Sequence, residues 1–247
     1  MPRILLLALL TACGNGSESQ TTPVMPAAAA EATATRPLRV MPLGDSITQA
    51  DSEHDSYRRP LSKSLELEGR SVDFVGSLSS NYRGGPPHPD FDPDHEGHWG
   101  WRADEILEEI RGWAEAEEPD VVLVHLGSND VFQDQGVSST LDELSRLIDA
   151  VREARPNTAF LIAQIIPTIN SSRNRTIRDL NDGISALESK STEWSKVRIV
   201  DQFTGFDPGR MTYDGVHPNA AGEIHMADRW LAALRLHLVE SERGQRQ

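Results

Sequence analysis

The chain has 247 residues, 38% of them hydrophobic and 25% charged, and a formal net charge of −14. That length accommodates one α/β domain of roughly 200 residues with tails. The acidic balance excludes a nucleic-acid partner, which demands a basic face, and a charge-driven attachment to anionic lipid.

The N-terminal stretch "MPRILLLALLTAC" places one basic residue before an apolar run from Ile4 to Leu10. The run is too short to span a bilayer and suits a secretory signal peptide over residues 1–12. Its end, Leu10-Thr11-Ala12-Cys13, resembles a bacterial lipoprotein lipobox. That implies lipidation of Cys13 and a protein held at the cell envelope by its lipid, or a secreted one if the cysteine is incidental. Cys13 is the only cysteine, so neither an internal disulfide nor a cysteine-based metal site is available. Residues 13–36 are rich in Ser, Thr, Pro and Ala without apolar periodicity, which is the composition of a flexible tether.

The folded domain is predicted over residues 37–240. Five short apolar runs, Leu38–Leu43, Val72–Val75, Val121–Leu126, Thr158–Ile166 and Val197–Val200, read as strands. None alternates cleanly with polar residues, as expected of strands buried on both faces. Helical patterns separate them: "YRRPLSKSLELEG", "RADEILEEIRGWAEAEE", "SSTLDELSRLIDAVREARP" and "NRTIRDLNDGISALESKSTEW", with "PNAAGEIHMADRWLAALRLHL" closing the domain. Strand alternating with helix gives an α/β fold, a parallel sheet covered by helices on both sides.

In such a sheet, ligands bind beyond the carboxyl ends of the strands, at the topological switch point. Ser46 follows the first predicted strand, Asn129 the third, and Asp214 and His217 the fifth. Ser46 alone is explained equally well as a turn or helix cap. The gathering is what a serine hydrolase needs: a nucleophile, a base, an orienting acid and donors for an oxyanion. His217 is the candidate base and Asp214, three residues earlier in "YDGVHPNAAG", the candidate orienter. Ser46 N–H, Gly100 of "GHWGWRADEI" and Asn129 of "HLGSND" are the candidate oxyanion donors. No G-x-S-x-G elbow surrounds Ser46, so the α/β-hydrolase form of this chemistry does not fit. His225 and His237 read as solvated helix positions.

The loop from Asn81 to Trp101 carries Tyr82, Phe91, Trp99 and Trp101 interleaved with Asp90, Asp92, Asp94 and Glu96. Aromatic faces stack on sugar rings and carboxylates accept hydroxyl hydrogen bonds, so Tyr82, Trp99 and Trp101 are candidate substrate residues. His88, His95 and His98 lack the helical spacing of zinc hydrolase motifs. The loop reads as solvated and turn-rich, with Ca²⁺ held by its acids as the alternative. The chemistry itself calls for no metal or other cofactor.

Gly44-Asp45-Ser46, Gly100, Gly127-Ser128-Asn129-Asp130 and Asp214-x-x-His217, in this order, resemble the four blocks of the SGNH (GDSL-type) hydrolases. The resemblance covers about Leu38 to His237. It implies a flavodoxin-like three-layer α/β/α sandwich with a five-stranded parallel sheet. It also implies Ser46 as nucleophile, His217 as base, Asp214 as orienter, an oxyanion hole of Ser46, Gly100 and Asn129, and Asp45 as a structural turn residue. "VDFVGS", "DPDHEGHWGWRADEI" and "VVLVHLGSND" are similar to carbohydrate esterase family 3, which includes acetylxylan esterases. Two positions depart from the pattern. Ala50 stands where the first block commonly ends in Gly, and Trp99 where a small residue often precedes the block-two glycine. The expected activity is hydrolysis of short O-acyl esters, acetyl first, on a saccharide. A lysophospholipase or lipase-like esterase and a non-catalytic glycan-binding module are the alternatives.

Overall fold

The computed structural model describes residues 36–244. The expected signal peptide, Cys13 and all but the last residue of the expected tether lie outside the described residues. Arg36, the first of them, already pairs with Asp120 through both guanidinium nitrogens, at 2.6 and 2.8 Å.

The apolar runs become strands β1 (Leu38–Gly44), β2 (Val72–Phe74), β4 (Val121–His125), β5 (Ala159–Gln164) and β6 (Val197–Asp201), with a sixth, β3 (Glu96–Gly97), between β2 and β4 in the chain. All pairings are parallel, in the order β2-β1-β4-β5-β6. Counting only the five long strands, this is the flavodoxin-like order 2-1-3-4-5, with its switch point between the first and third. The two-residue β3 was not expected. It pairs Glu96 with Leu43 and Gly97 with Gly44, so the edge of β1 that β2 leaves free near the strand's end is filled by the loop carrying Gly100.

The absence of alternation in the sequence has a direct cause in packing. Met41, Leu43, Val122, Val124, Phe160 and Ile162 face one helical layer, α3 (Ala103–Glu117), α5 (Val137–Ala154) and α6 (Arg173–Ser185). Their neighbours Val40, Val121, Leu123, Ala159, Leu161 and Ala163 face the other, chiefly α2 (Arg58–Leu67) and α8 (Ala220–Gly244). Both faces are apolar because both are core. Burying each such side chain contributes about 1.5–3 kcal/mol.

Three short helices, α1 (Ser46–Gln49), α4 (Ser128–Phe132) and α7 (Pro208–Met211), lie in the loops that follow β1, β4 and β6. The helix expected through Trp194 instead tightens into a 3₁₀ turn at Ala186–Lys190, leaving Trp194 71% exposed. There Ser185 Oγ bonds back to Asn181 O and Ser189 Oγ to Ala186 O, competing with continued helix. The loop before α3 is largely exposed over residues 83–90, as expected, but its end is not. His95 and Glu96 are fully buried. Glu96 accepts from Ser77 N, Ser77 Oγ and His98 Nε2, and the His95 ring nitrogens are taken by Gly97 N and Ser80 O. His225 and His237 are half-buried rather than solvated, and burial lowers the pKa of both.

Ala50 ends α1 at φ 60° and ψ 175°, a conformation essentially reserved for glycine. Its carbonyl still accepts Tyr82 N–H at 2.9 Å, so the neighbouring loop holds it there. That accounts for the glycine found at this position in the resembling pattern. Ala50→Gly should therefore raise stability by about 1 kcal/mol, strain relief of ~1–3 exceeding the added chain entropy of ~0.4–1. Urea unfolding of both proteins checks this; a less stable variant would show that Ala50 is not strained.

Candidate active site

β1 ends at Gly44 because no side chain fits there: a Cβ would lie 2.3 Å from the His125 carbonyl oxygen and 2.5 Å from Thr48 Oγ1. Asp45 then caps α1, its Oδ1 accepting Ile47 N–H at 2.9 Å. This places Ser46 in the first helical position, 7% exposed, at the carboxyl edge of the sheet. Beyond β6 the chain reverses through Thr212–Pro218. Gly215 supplies the turn at φ 91°, and Tyr213 N–H donates to His217 O at 3.0 Å.

The reversal completes a chain of hydrogen bonds. Ser46 Oγ lies 2.9 Å from His217 Nε2, and His217 Nδ1 lies 2.7 Å from Asp214 Oδ2. Asp214 Oδ1 accepts the backbone N–H of Val216 and His217 at 2.9 and 2.8 Å, which fixes the carboxylate under the ring. Burial pushes the Asp214 carboxyl up, but the hydrogen bonds from the His217 ring and these two N–H groups outweigh it and hold its pKa below the usual value. An ionised Asp214 can only accept, so Nδ1 carries the proton and Nε2 offers its lone pair to the Ser46 hydroxyl.

The three expected oxyanion donors sit on adjacent segments that are tied together. His98 N donates to Gly44 O at 2.9 Å, Trp99 N to Gln49 Oε1 at 2.8 Å, and Asn129 Nδ2 to Trp101 O at 2.9 Å. The last bond uses one amide hydrogen of Asn129 and leaves the second. Gly100, at φ 86°, keeps its N–H free of acceptors among the described residues. A buried guanidinium anchors the opposite end of α1. Arg58 donates to Thr48 O, Gln49 O, Pro93 O and Asn81 Oδ1, and burial lowers its pKa to about 10.

The aromatic residues pack on one another and on His217. Trp99 stacks on His217 with centroids 4.7 Å apart, and Tyr82 covers its other face at 4.5 Å. The outer face of Tyr82 lies under the Arg83 guanidinium at 4.9 Å. Trp101 stacks with His98 at 4.5 Å and packs on the core. These contacts pack the loop, and all three side chains stay partly exposed. The His217 ring also has Tyr213 beside it, with centroids 5.7 Å apart. Tyr213, 41% exposed, and Ile169, 68% exposed and bonded to Gly215 O through its N–H, line the same rim. Neither was singled out in the sequence. Among the described residues, no group of three or more His, Cys, Asp or Glu side chains could hold a metal ion, so the Ca²⁺ alternative finds no ligand set there.

The matching family model, described as the GDSL-like lipase/acylhydrolase family, spans residues 43–223, from the end of β1 to the start of α8. The chain belongs to that family. This places it among the carboxylic ester hydrolases. An acetyl esterase serine-to-alanine mutant with an acetate ion is similar at 33% identity and a TM-score of 0.73, covering 83% of this chain and 99% of that one. A carbohydrate esterase family 3 protein from Talaromyces cellulolyticus is similar at 34% identity and a TM-score of 0.73, with the same coverage. A multidomain esterase of Ruminococcus flavefaciens is 29% identical over 245 residues, 89% of this chain but only 31% of the relative's length.

Two carboxyls behind the site are deeply buried. Burial raises Asp45 to about 6 against the cap bond from Ile47, and raises Asp130 to about 6 against the bonds from Ala103 N and Thr140 Oγ1. Asp45 Oδ2 has no partner within hydrogen-bond geometry. A carboxyl raised on folding adds stability below its unfolded pKa and loses it as pH climbs to the folded value, here from about 4 to about 6. Asp45→Asn keeps the Oδ1 cap and escapes that loss. Its stability relative to the parent should therefore improve by about 1 kcal/mol between pH ~5 and pH ~8. Denaturant unfolding at the two pH values tests the sign, and a constant difference would contradict it.

Proposed function

We propose that this chain is a serine esterase that removes short acyl groups, acetyl first, from a saccharide. The observation that carries the reading is the hydrogen-bonded series Ser46–His217–Asp214, at 2.9 and 2.7 Å, on the carboxyl edge of a parallel sheet. In this reading His217 Nε2 takes the Ser46 proton as Oγ attacks the ester carbonyl, and Asp214 steadies the imidazolium. The N–H groups of Ser46 and Gly100 and the second Asn129 amide hydrogen meet the charge growing on the carbonyl oxygen. His217 then protonates the departing alcohol, and water releases the acid by the reverse sequence.

The short acyl preference rests on the acetyl esterase likeness. The cavity against Ser46 is small, about 10 Å³, with room for roughly one water. A larger cavity, about 290 Å³, lies between α2, β2 and residues 90–92, and Ser46 is not among its walls. The saccharide preference rests on the acetyl esterase and family 3 carbohydrate esterase likenesses and on the polar rim around Tyr213. A pure binding module would have no use for a hydroxyl aligned on an imidazole.

On purified protein, kcat/KM should fall from acetate to butyrate to palmitate esters, and acetate should appear from acetylated xylan. Ser46→Ala should lower kcat by ~10⁴ or more. Preference for palmitate would favour the lipase-like alternative, and a Ser46→Ala variant with most of its activity would end the proposal. The proposal includes a lipid on Cys13 that holds the enzyme at the cell envelope. Cys13→Ser should then move the protein from membrane to soluble fractions, and equal retention would refute the anchor.

A further inference from the structure

The space around Ser46 has two unlike sides. The small cavity is lined by Ser46 and His217 but not by Gly100 or Asn129. It therefore lies on the side of the base, away from Gly100 and Asn129. That is where an alcohol leaves and a water enters, because both exchange a proton with His217 Nε2.

Three polar groups that the triad does not use line this cavity: His54, Ser56 and Glu223. Ser56 is 3% exposed, and its Oγ has no hydrogen-bond partner. Its backbone sits at φ 64°, a left-handed conformation that disfavours a side chain. Glu223, 8% exposed, holds it there by accepting Ser56 N–H at 3.0 Å. An unpartnered buried hydroxyl on a strained residue needs an explanation that packing does not supply.

His54 repeats the geometry of the catalytic base. Asp51-x-x-His54 has the spacing of Asp214-x-x-His217, and His54 Nδ1 lies 2.7 Å from Asp51 Oδ1. Asp51 Oδ2 accepts the Tyr213 hydroxyl at 3.1 Å, and the Tyr213 ring stacks on His54 at 4.0 Å, between the two imidazoles. With Nδ1–H committed to Asp51, Nε2 of the neutral ring presents a lone pair, and no partner among the described residues occupies it. The cavity wall thus offers two acceptors, His54 Nε2 and the Glu223 carboxylate, and one hydroxyl that donates or accepts. Glu223 and Asp51 exclude an anion. A water can donate to both acceptors and accept from Ser56 Oγ, and an alcohol hydroxyl can donate to one of them while accepting from Ser56 Oγ.

We propose that His54, Ser56 and Glu223 form a binding site for one O–H group on the leaving-group side of Ser46. Its occupant is a hydroxyl on the alcohol half of the ester or the water that takes its place. This rests on the esterase reading of Ser46 and narrows it to esters of polyhydroxylated alcohols, or else assigns the deacylation water a seat.

The test uses the full chain with Ser56→Ala, which deletes only the hydroxyl, and His54→Phe, which keeps a ring against Tyr213. Ser56→Gly serves as a control that removes the hydroxyl while relieving the backbone. Acetate release is measured on glycerol monoacetate, which has neighbouring hydroxyls, and on ethyl acetate, which has none. For a substrate hydroxyl, the ratio of the two kcat/KM values falls about tenfold in each variant, as for a lost hydrogen bond. For water, both substrates slow together, and p-nitrophenyl acetate gives a pre-steady-state burst as acetyl-enzyme accumulates. An unchanged ratio without a burst overturns the site. Failure of the underlying esterase reading looks different: Ser46→Ala would then hydrolyse these esters as fast as the parent chain.

Discussion

One hydrogen bond, from Ser46 Oγ to His217 Nε2, joins residues 171 positions apart and must close to 2.9 Å. No local segment can do that. Ser46 is carried by the end of β1, and His217 by a reversal between β6 and α8, on opposite sides of the strand order. The sheet is what makes the distance reproducible, since each strand end is fixed by its neighbours' ladder. Two separately packed helical layers then keep the sheet from flexing. The apolar core therefore acts on function through a distance.

Around that bond the protein spends buried polar groups rather than apolar ones. The first turn of α1 is capped by Asp45 at one end and gripped by the Arg58 guanidinium at the other, so Ser46 sits on a segment with almost no freedom. The His217 ring is confined too, by Trp99, by Tyr213 and by its bond to Asp214. Stacked rings limit rotation of the imidazole and would suit the cation that the proposed proton transfer forms. Burial that raises Asp45, leaves Ser56 without a partner and strains Ala50 would be poor design for stability alone. Such features cluster where geometry is held for chemistry.

Much of this was legible in the residues. Strands buried on both faces announce themselves as unbroken β-branched runs, and the switch-point rule then gathers Ser46, Asn129, Asp214 and His217 without coordinates. β3 escaped notice because two residues, one of them glycine, carry no periodicity, and only the exposed edge of β1 recruits them. The rings of Tyr82, Trp99 and Trp101 were visible, but what covers their faces is set by tertiary packing. Ser56 and Glu223 were silent for a similar reason. A serine in "HDSYRR" and a glutamate in "AAGEIH" are ordinary surface residues until the fold buries both beside Ser46.

The central claim is that His217 activates Ser46, and its most direct measurement is covalent labelling. The protein is treated with a fluorophosphonate, the adduct is located by peptide mass spectrometry, and the rate is compared with that of His217→Ala. The account predicts one adduct per chain, on Ser46, with labelling slowed by ~10³ or more in the variant. Labelling at another residue, or an equal rate without the imidazole, would contradict it.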